Sequence, residues 1–247
     1  MKLKPYTKLA EIYDSIFKSK KFYKNYYDFI FKILKNIEII PKSILELACG
    51  TGILAKIFLD KGFSIEGLDI SKNMLEVAEK KGINTHLANM INFKLGKKYD
   101  LILCIFDSLN YIQNQSDLLC CFRSVKKHLS EKGLFIFDMN SDYYINEVIP
   151  RHGNEYHKIG NIECIWLNSH EPNTWISELI FFEEIEGGVY RRYYERHVEK
   201  AYKLTDIKNL LKKAEFYSIE TYSWFDFSEL GDDTQRWFFV CSPCTRS

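Results

Sequence analysis

The segment Ile44 to Ala55, ILELACGTGILA, places a carboxylate, Glu46, inside an apolar run just ahead of Gly50 and Gly52. Gly50, Gly52 and Ala55 fit G-x-G-x-x-G/A between a predicted strand and a predicted helix. That spacing lets a ligand approach the backbone near a helix N-terminus. Asp69, 17 residues beyond Gly52, closes the next β-rich run, where a carboxylate can take both hydroxyls of a ribose. A ligand containing a nucleoside is the expectation.

Two ligand classes share that pattern, dinucleotides and S-adenosylmethionine, and Glu46 separates them. A carboxylate at the end of the first strand would face a pyrophosphate at close range, and partly desolvated like charges repel by several kcal/mol. The same carboxylate suits a ligand carrying an ammonium and a sulfonium. S-adenosyl-L-methionine is therefore the expected cofactor. A nicotinamide-linked oxidoreductase is the alternative enzyme, disfavoured by Glu46 and by the lack of a second nucleotide-binding half. A non-catalytic binder of the cofactor is the alternative outside enzymes.

Further groups with chemical potential lie downstream. Phe106 to Tyr111, FDSLNY, follows the fourth β-rich run, at the carboxyl end of the sheet where ligands of such folds bind. Asp107, Asn110 and Tyr111 are its substrate-binding candidates, and Phe106 is expected near the sulfonium. Tyr13 sits on an early helical pattern, where its ring can attract a sulfonium by cation–π interaction. Arg191, Arg192, Arg196 and His197 share a strand-like run whose alternation puts Arg192 and Arg196 on one face. Arg192 is the candidate grip on an acidic substrate group, and Tyr13 and His197 are the catalytic candidates. Cys241 and Cys244 form a C-x-x-C without a second pair at zinc spacing, so no metal is expected.

These residues need a scaffold. The 247 residues suffice for one large α/β domain with an insertion, and a formal net charge of +1 gathers neither nucleic acid nor anionic lipid. The N-terminus lacks a signal peptide's apolar core, and no stretch approaches about 18 apolar residues, so a cytoplasmic protein without a membrane span is expected. From Pro41 to Asp138, strand and helix patterns alternate strictly, which predicts a parallel sheet covered on both faces. Ser71 and Thr205 are candidate helix caps, and Gly62, Gly82 and Gly133 fall where helices should stop. Tyr6 to Lys18 and Phe22 to Asn36 read as two helices over the ligand-bearing edge. From about Glu155 to Tyr202 aromatic and β-branched residues alternate with polar ones, and Gly187-Gly188 has hairpin spacing. The expected division is a cofactor-binding domain of residues 1–141 and 203–247 with an antiparallel lid at 142–202.

ELACGTG, LDIS as the second acidic segment, YDLILCIFDSLNYI as the fourth strand and GLFIFDMNS as the fifth together resemble the class I S-adenosylmethionine-dependent methyltransferases. The resemblance spans the whole chain, including the early Y…LA..YD helix and the RWFFV ending. It implies a doubly wound, Rossmann-like α/β sheet of seven strands, mostly parallel, with the last antiparallel. Glu46, Ala48, Gly50 and Gly52 would border the methionine moiety, Asp69 would hold the ribose, and Ile70 and Met74 would flank the adenine. Asn89, followed by Met90, stands where many relatives place an acid against the adenine amino group. The segment FDSLN is not the Asn/Asp-Pro-Pro-aromatic pattern of enzymes acting on exocyclic amines of bases or glutamine amides. A lid rich in aromatics is similar to those of methyltransferases acting on small amines, amino sugars among them. A small-molecule acceptor, nitrogen ahead of oxygen, is expected, with a monomer or homodimer and no nucleic-acid partner.

Overall fold

The computed structural model describes residues 1–17 and 20–245. Short apolar runs form a seven-stranded sheet from β1 (Ile44–Leu47), β2 (Ile65–Asp69), β3 (Asn84–Leu87), β4 (Tyr99–Cys104), β5 (Leu129–Asn140), β10 (Ser218–Ser223) and β11 (Arg236–Ser242). The order is β10-β11-β5-β4-β1-β2-β3, parallel except for β11, which runs antiparallel to both neighbours. Chain direction of the crossovers reverses between β1 and β4, so their carboxyl ends open a crevice there.

Both faces are buried, which explains the near-continuous apolar strands. Leu45, Leu47, Ile102, Phe135 and Phe137 pack under α5 (Gln115–His128) and α6 (Leu204–Lys213). Ile44, Leu101, Leu103 and Ile136 pack under α2 (Lys20–Asn36) and α3 (Ile53–Asp60). The second N-terminal helix covers a sheet face along most of its length, because Tyr26, Ile30 and Leu34 give it a fully apolar side, and only its first turn reaches the ligand-bearing edge, through Tyr23. The first helix, α1 (Leu9–Ile16), is shorter than its pattern: Tyr6 lies in a turn at φ 62°, and Lys18 lies outside the described residues.

The cap of α4 (Lys72–Lys80) is as read, with the Ser71 hydroxyl accepting from Met74 N–H at 3.4 Å. Gly62 and Gly82 take φ 87° and 84° just past helix ends. Two expectations are corrected. Lys203 occupies the N-cap of α6 in an extended conformation, leaving Thr205 inside the helix. Gly133 stops no helix, since His128 runs straight into β5; a Cβ there would meet the Tyr99 carbonyl oxygen at 3.0 Å, so close backbone approach is what requires glycine.

Between β5 and α6 the chain builds a second, antiparallel sheet of β6 (Glu155–Ile159), β7 (Ile162–Glu171), β8 (Thr174–Glu186) and β9 (Val189–Lys200). Gly187 and Gly188, at φ 58° and 80°, make the two-residue turn from β8 to β9. Its buried face sets Ile162, Cys164, Leu179 and Phe181 against Leu9 and Ile12 of α1. Among the described residues no helix is long and apolar enough to cross a membrane.

Candidate active site

The loop leaving β1 descends through left-handed conformations at Ala48, Gly50 and Gly52, at φ 50°, 54° and 73°. The two glycines are required for different reasons. A Cβ on Gly52 would lie 3.0 Å from Ala78 Cβ and 3.2 Å from Ile83, so Gly52 is a packing residue that brings α3 against α4. A Cβ on Gly50 would meet nothing within 4 Å, so its open side is available to a ligand. Gly67 on β2, which the motif does not include, is as constrained: its Cβ would sit 2.5 Å from Cys49 Sγ. Gly50 N–H and Ser71 N–H donate to the two oxygens of Asp69 at 2.9 and 2.8 Å, fixing that carboxylate at the end of β2.

A cavity of about 550 Å³ opens over this loop. It gathers the expected Tyr13, Glu46, Ala48, Gly50, Asp69, Ile70, Met74, Met90, Phe106 and Tyr111, and adds Tyr6, Tyr23 and Thr51. Glu46 is 3% exposed and its Oε2 has no hydrogen-bond partner. Burial pushes its carboxyl up to about 8, opposed by the Ala55 N–H and assisted by the charge of Asp69. Asp69 is also raised by burial, against the N–H groups of Ser71, Gly50 and Ile70. Among the described residues neither carboxyl is in a salt bridge. An orphaned, buried acid in the wall, a second acid behind it and an open glycine fit a cationic amino-acid nucleoside.

The opposite wall is aromatic and is carried by α1 and its leading turn. Tyr13 lies with its ring centroid 6.4 Å from that of Tyr6, and Phe106 packs 4.7 Å from Tyr23. Burial raises Tyr13 and Tyr23, which keeps both phenols neutral. Two attachments hold α1 in place. Asp14 accepts from the Thr51 hydroxyl at 2.6 Å and pairs with Lys81 at 2.5 Å. At the other end Glu195 of β9, fully buried, accepts from Tyr6 N–H at 2.8 Å, Leu9 N–H at 3.1 Å and Lys8 N–H. A carboxylate on the free N–H groups of a helix N-terminus is favourable twice over, by hydrogen bonding and by the helix dipole.

The turn after β4 also leaves through left-handed residues, Phe106 and Asp107, at φ 62° and 50°. Asp107, an expected substrate-binding residue, does not border the cavity. Its Oδ1 pairs with Arg236 at 2.8 Å, and Arg236 pairs with Asp138 at 2.7 Å. Asp138 accepts from the Tyr26 hydroxyl at 2.6 Å. Glu199 of β9 is pushed well up by burial and then by the charge of Asp107, while accepting from Asn140 Nδ2 at 2.8 Å. Two carboxyls, Asp107 and Asp138, thus share one guanidinium, with Glu199 beside Asp107.

Other expected residues fall outside the cavity. Asn110 was expected to bind substrate, but it is fully buried and stitches elements together, donating to the carbonyls of Asn140 at 3.1 Å and Lys200 at 2.9 Å. Asn89 spends its oxygen on Ile91 N–H at 2.9 Å and borders a smaller neighbouring cavity. Arg192 is exposed on the outer face of β9 and does not reach the site. His197 stands one residue behind the wall: the Tyr111 hydroxyl lies 3.1 Å from His197 Nδ1, and Tyr6 donates to Tyr111 at 2.7 Å. Glu195 and Glu199 were not found from the sequence, although the alternation that puts Arg192 outward puts Glu195, His197 and Glu199 inward. Arg236 had no local signal, being held by partners far along the chain. Among the described residues no group of three or more His, Cys, Asp or Glu could hold a metal ion.

A family profile described as "Methyltransferase domain" matches residues 19–221. An S-adenosylmethionine-dependent methyltransferase from Clostridium acetobutylicum ATCC 824, solved by crystallography, superposes with a TM-score of 0.82 at 31% identity, covering 96% of this chain and 98% of that one. A dTDP-3-amino-3,6-dideoxy-alpha-D-glucopyranose N,N-dimethyltransferase from Streptomyces fradiae is 26% identical over 53% of this chain and 52% of its own. The sugar N-methyltransferase KedS8 from Streptoalloteichus sp ATCC 53650 shares the fold, with a TM-score of 0.76 at 17% identity over 93% of this chain and 92% of that one.

Proposed function

This chain belongs to the S-adenosylmethionine-dependent methyltransferases, and from that membership we propose that it methylates an amine nitrogen of a small molecule, with amino sugars as the acceptor class. The observation that carries the nitrogen assignment is the charge balance beside Phe106. Asp107 and Asp138 pair with one cation, Arg236, in a water-poor setting, while burial and the charge of Asp107 push the neighbouring Glu199 carboxyl toward its neutral form. The surplus carboxylate of such a cluster attracts and retains an acceptor nitrogen that arrives as an ammonium. The amino-sugar specificity of the Streptomyces fradiae relative points the same way. A hydroxyl acceptor gains nothing from that charge and is the second reading.

The cofactor, when bound, supplies an electrophilic methyl on a sulfonium that is already a good leaving group. The residues of this chain then bind, align and exclude water, which suffices for a direct displacement. Glu46 would hold the amino-acid ammonium, Asp69 the ribose hydroxyls, and Ile70, Met74 and Met90 the adenine. Tyr13 and Phe106 would face the sulfonium with neutral aromatic surface. Asp107, which lies behind Tyr111 and acts on it through its charge, would favour a cationic acceptor nitrogen beside that residue. Calorimetry against S-adenosylhomocysteine, S-adenosylmethionine and NAD tests the cofactor assignment: the first two bind with micromolar Kd and NAD does not. Binding of NAD alone would overturn it.

A further inference from the structure

We propose that Tyr111 takes the proton released by the acceptor nitrogen and passes its own to His197, so that β9 of the inserted sheet supplies the proton outlet of the reaction. This deepens the amine reading above and rests on it.

Four groups line up from the cavity to the interior. The Tyr6 hydroxyl donates to the Tyr111 oxygen at 2.7 Å, and the Tyr111 hydroxyl lies 3.1 Å from His197 Nδ1. His197 Nε2 lies 3.4 Å from Glu195 Oε2. Tyr6 and Tyr111 both border the cavity; His197 is 5% exposed and Glu195 fully buried. They come from three places: Tyr6 from the turn before α1, Tyr111 from the 3-10 turn Ser108–Tyr111, and His197 and Glu195 from the inward face of β9.

With Tyr6 donating to Tyr111, the relay requires Tyr111 to donate to His197 Nδ1 and the imidazole proton to sit on Nε2, toward Glu195. One lone pair of the Tyr111 oxygen remains for the acceptor. A merely structural histidine would have its second nitrogen satisfied. His197 Nε2 has no hydrogen bond, and the hydroxyl of its cross-strand neighbour Ser177 is committed to Asn168 at 3.0 Å. The groups facing this chain are Glu195 at His197, and Glu199, Asp107, Tyr6 and Tyr13 at Tyr111. Burial first, then these charges, raise both phenols, so they exchange protons as neutral hydroxyls and do not ionise.

The step balances. The acceptor ammonium gives one proton to the Tyr111 oxygen as the Tyr111 proton moves to His197 Nδ1, leaving an imidazolium beside the Glu195 carboxylate and a free lone pair on nitrogen. That lone pair forms the N–C bond while the C–S pair stays on sulfur, and the product leaves as the methylated ammonium. Tyr111 is the catalytic residue; Tyr6 and His197 position and drain it.

The test has two arms. Nitrogen-15 NMR of the protein saturated with S-adenosylhomocysteine, assigned with His197→Gln, reads the tautomer at about pH 9, where an ordinary imidazole is neutral. The expected result is a proton on Nε2; a proton on Nδ1 would make His197 a donor to Tyr111 and overturn the relay. The second arm uses S-adenosylmethionine with dTDP-3-amino-3,6-dideoxyglucose as the acceptor probe. Tyr111→Phe and His197→Gln each lower kcat by about tenfold or more near neutral pH. The double variant is no slower than the slower single one, and the deficit shrinks as pH rises. S-adenosylhomocysteine affinity of His197→Gln stays at the parent value. Multiplying losses, or a deficit constant across pH, would overturn the proposal. If the probe is not methylated at all, the amine reading fails while the tautomer still decides the relay.

Discussion

The loop after β1 and the turn after β4 both leave their strands through left-handed, non-glycine residues, yet they are held by opposite means. The first is secured locally: Gly50 N–H reaches Asp69 across 19 residues, and Cys49 nests against Gly67. The second is secured from afar. Asp107 is tied to Arg236 across 129 residues, and Asn110 to Lys200 across 90. The glycine loop and Asp69 are thus a property of one βαβ unit, whereas the turn after β4 is held only once β5, β9 and β11 are all in place. The first can persist across many acceptors while the second varies.

The difference can be broken most severely at its distant anchor. Arg236→Met leaves Asp107 and Asp138 buried without their cation, and urea unfolding should show a loss of about 3–5 kcal/mol. A loss below about 1 kcal/mol would mean that water already solvates the cluster. Gly67→Ala strikes the local anchor instead. The added methyl must displace Cys49, which should cost about 1–3 kcal/mol and weaken S-adenosylhomocysteine binding. Adding Cys49→Ala should recover most of both, and no recovery would remove the sulfur contact as the cause.

Smaller changes sharpen the cofactor end. Asp69→Ala should weaken S-adenosylhomocysteine at least about tenfold, or about 1.4 kcal/mol, through loss of charge-assisted hydrogen bonds. Unchanged affinity in a folded variant would take Asp69 out of the site. Glu46 predicts a pH dependence. Burial keeps its carboxyl protonated up to about 8, and a ligand ammonium favours the ionised form. Binding must therefore expel a proton below that pH, so affinity should rise from about pH 6 to about pH 8, and Glu46→Gln should abolish the slope. The smallest effect is expected at Arg192→Ala, whose exposed guanidinium should leave kcat/KM unchanged.

The same contrast explains what was legible beforehand. Alternating strand and helix patterns, the G-x-G turn and Asp69 depend on neighbours in sequence, so they announced the sheet and the cofactor cradle. Glu46 was legible because one charge in an apolar run demands a reason. The even spacing of β9 was visible too, but its two faces look alike in composition. Arg192 therefore drew attention that belonged to Glu195 and Glu199, the inward neighbours of His197. Asn110 misled for a related reason: a polar residue after a strand reads as a ligand, while its full burial follows from the distant carbonyls of Asn140 and Lys200. Arg236 opens an otherwise apolar strand and becomes meaningful only when β11 lies beside β5.

The central claim is that the charge around Asp107 selects an amine. The most direct measurement pairs dTDP-3-amino-3,6-dideoxyglucose with its 3-hydroxy counterpart, incubates each with the enzyme and S-adenosylmethionine, and locates added methyl groups by fragmentation mass spectrometry. The account predicts methyl on the sugar nitrogen and none on the hydroxy analogue. Methyl on oxygen, or no product from either while S-adenosylhomocysteine still binds, would contradict it.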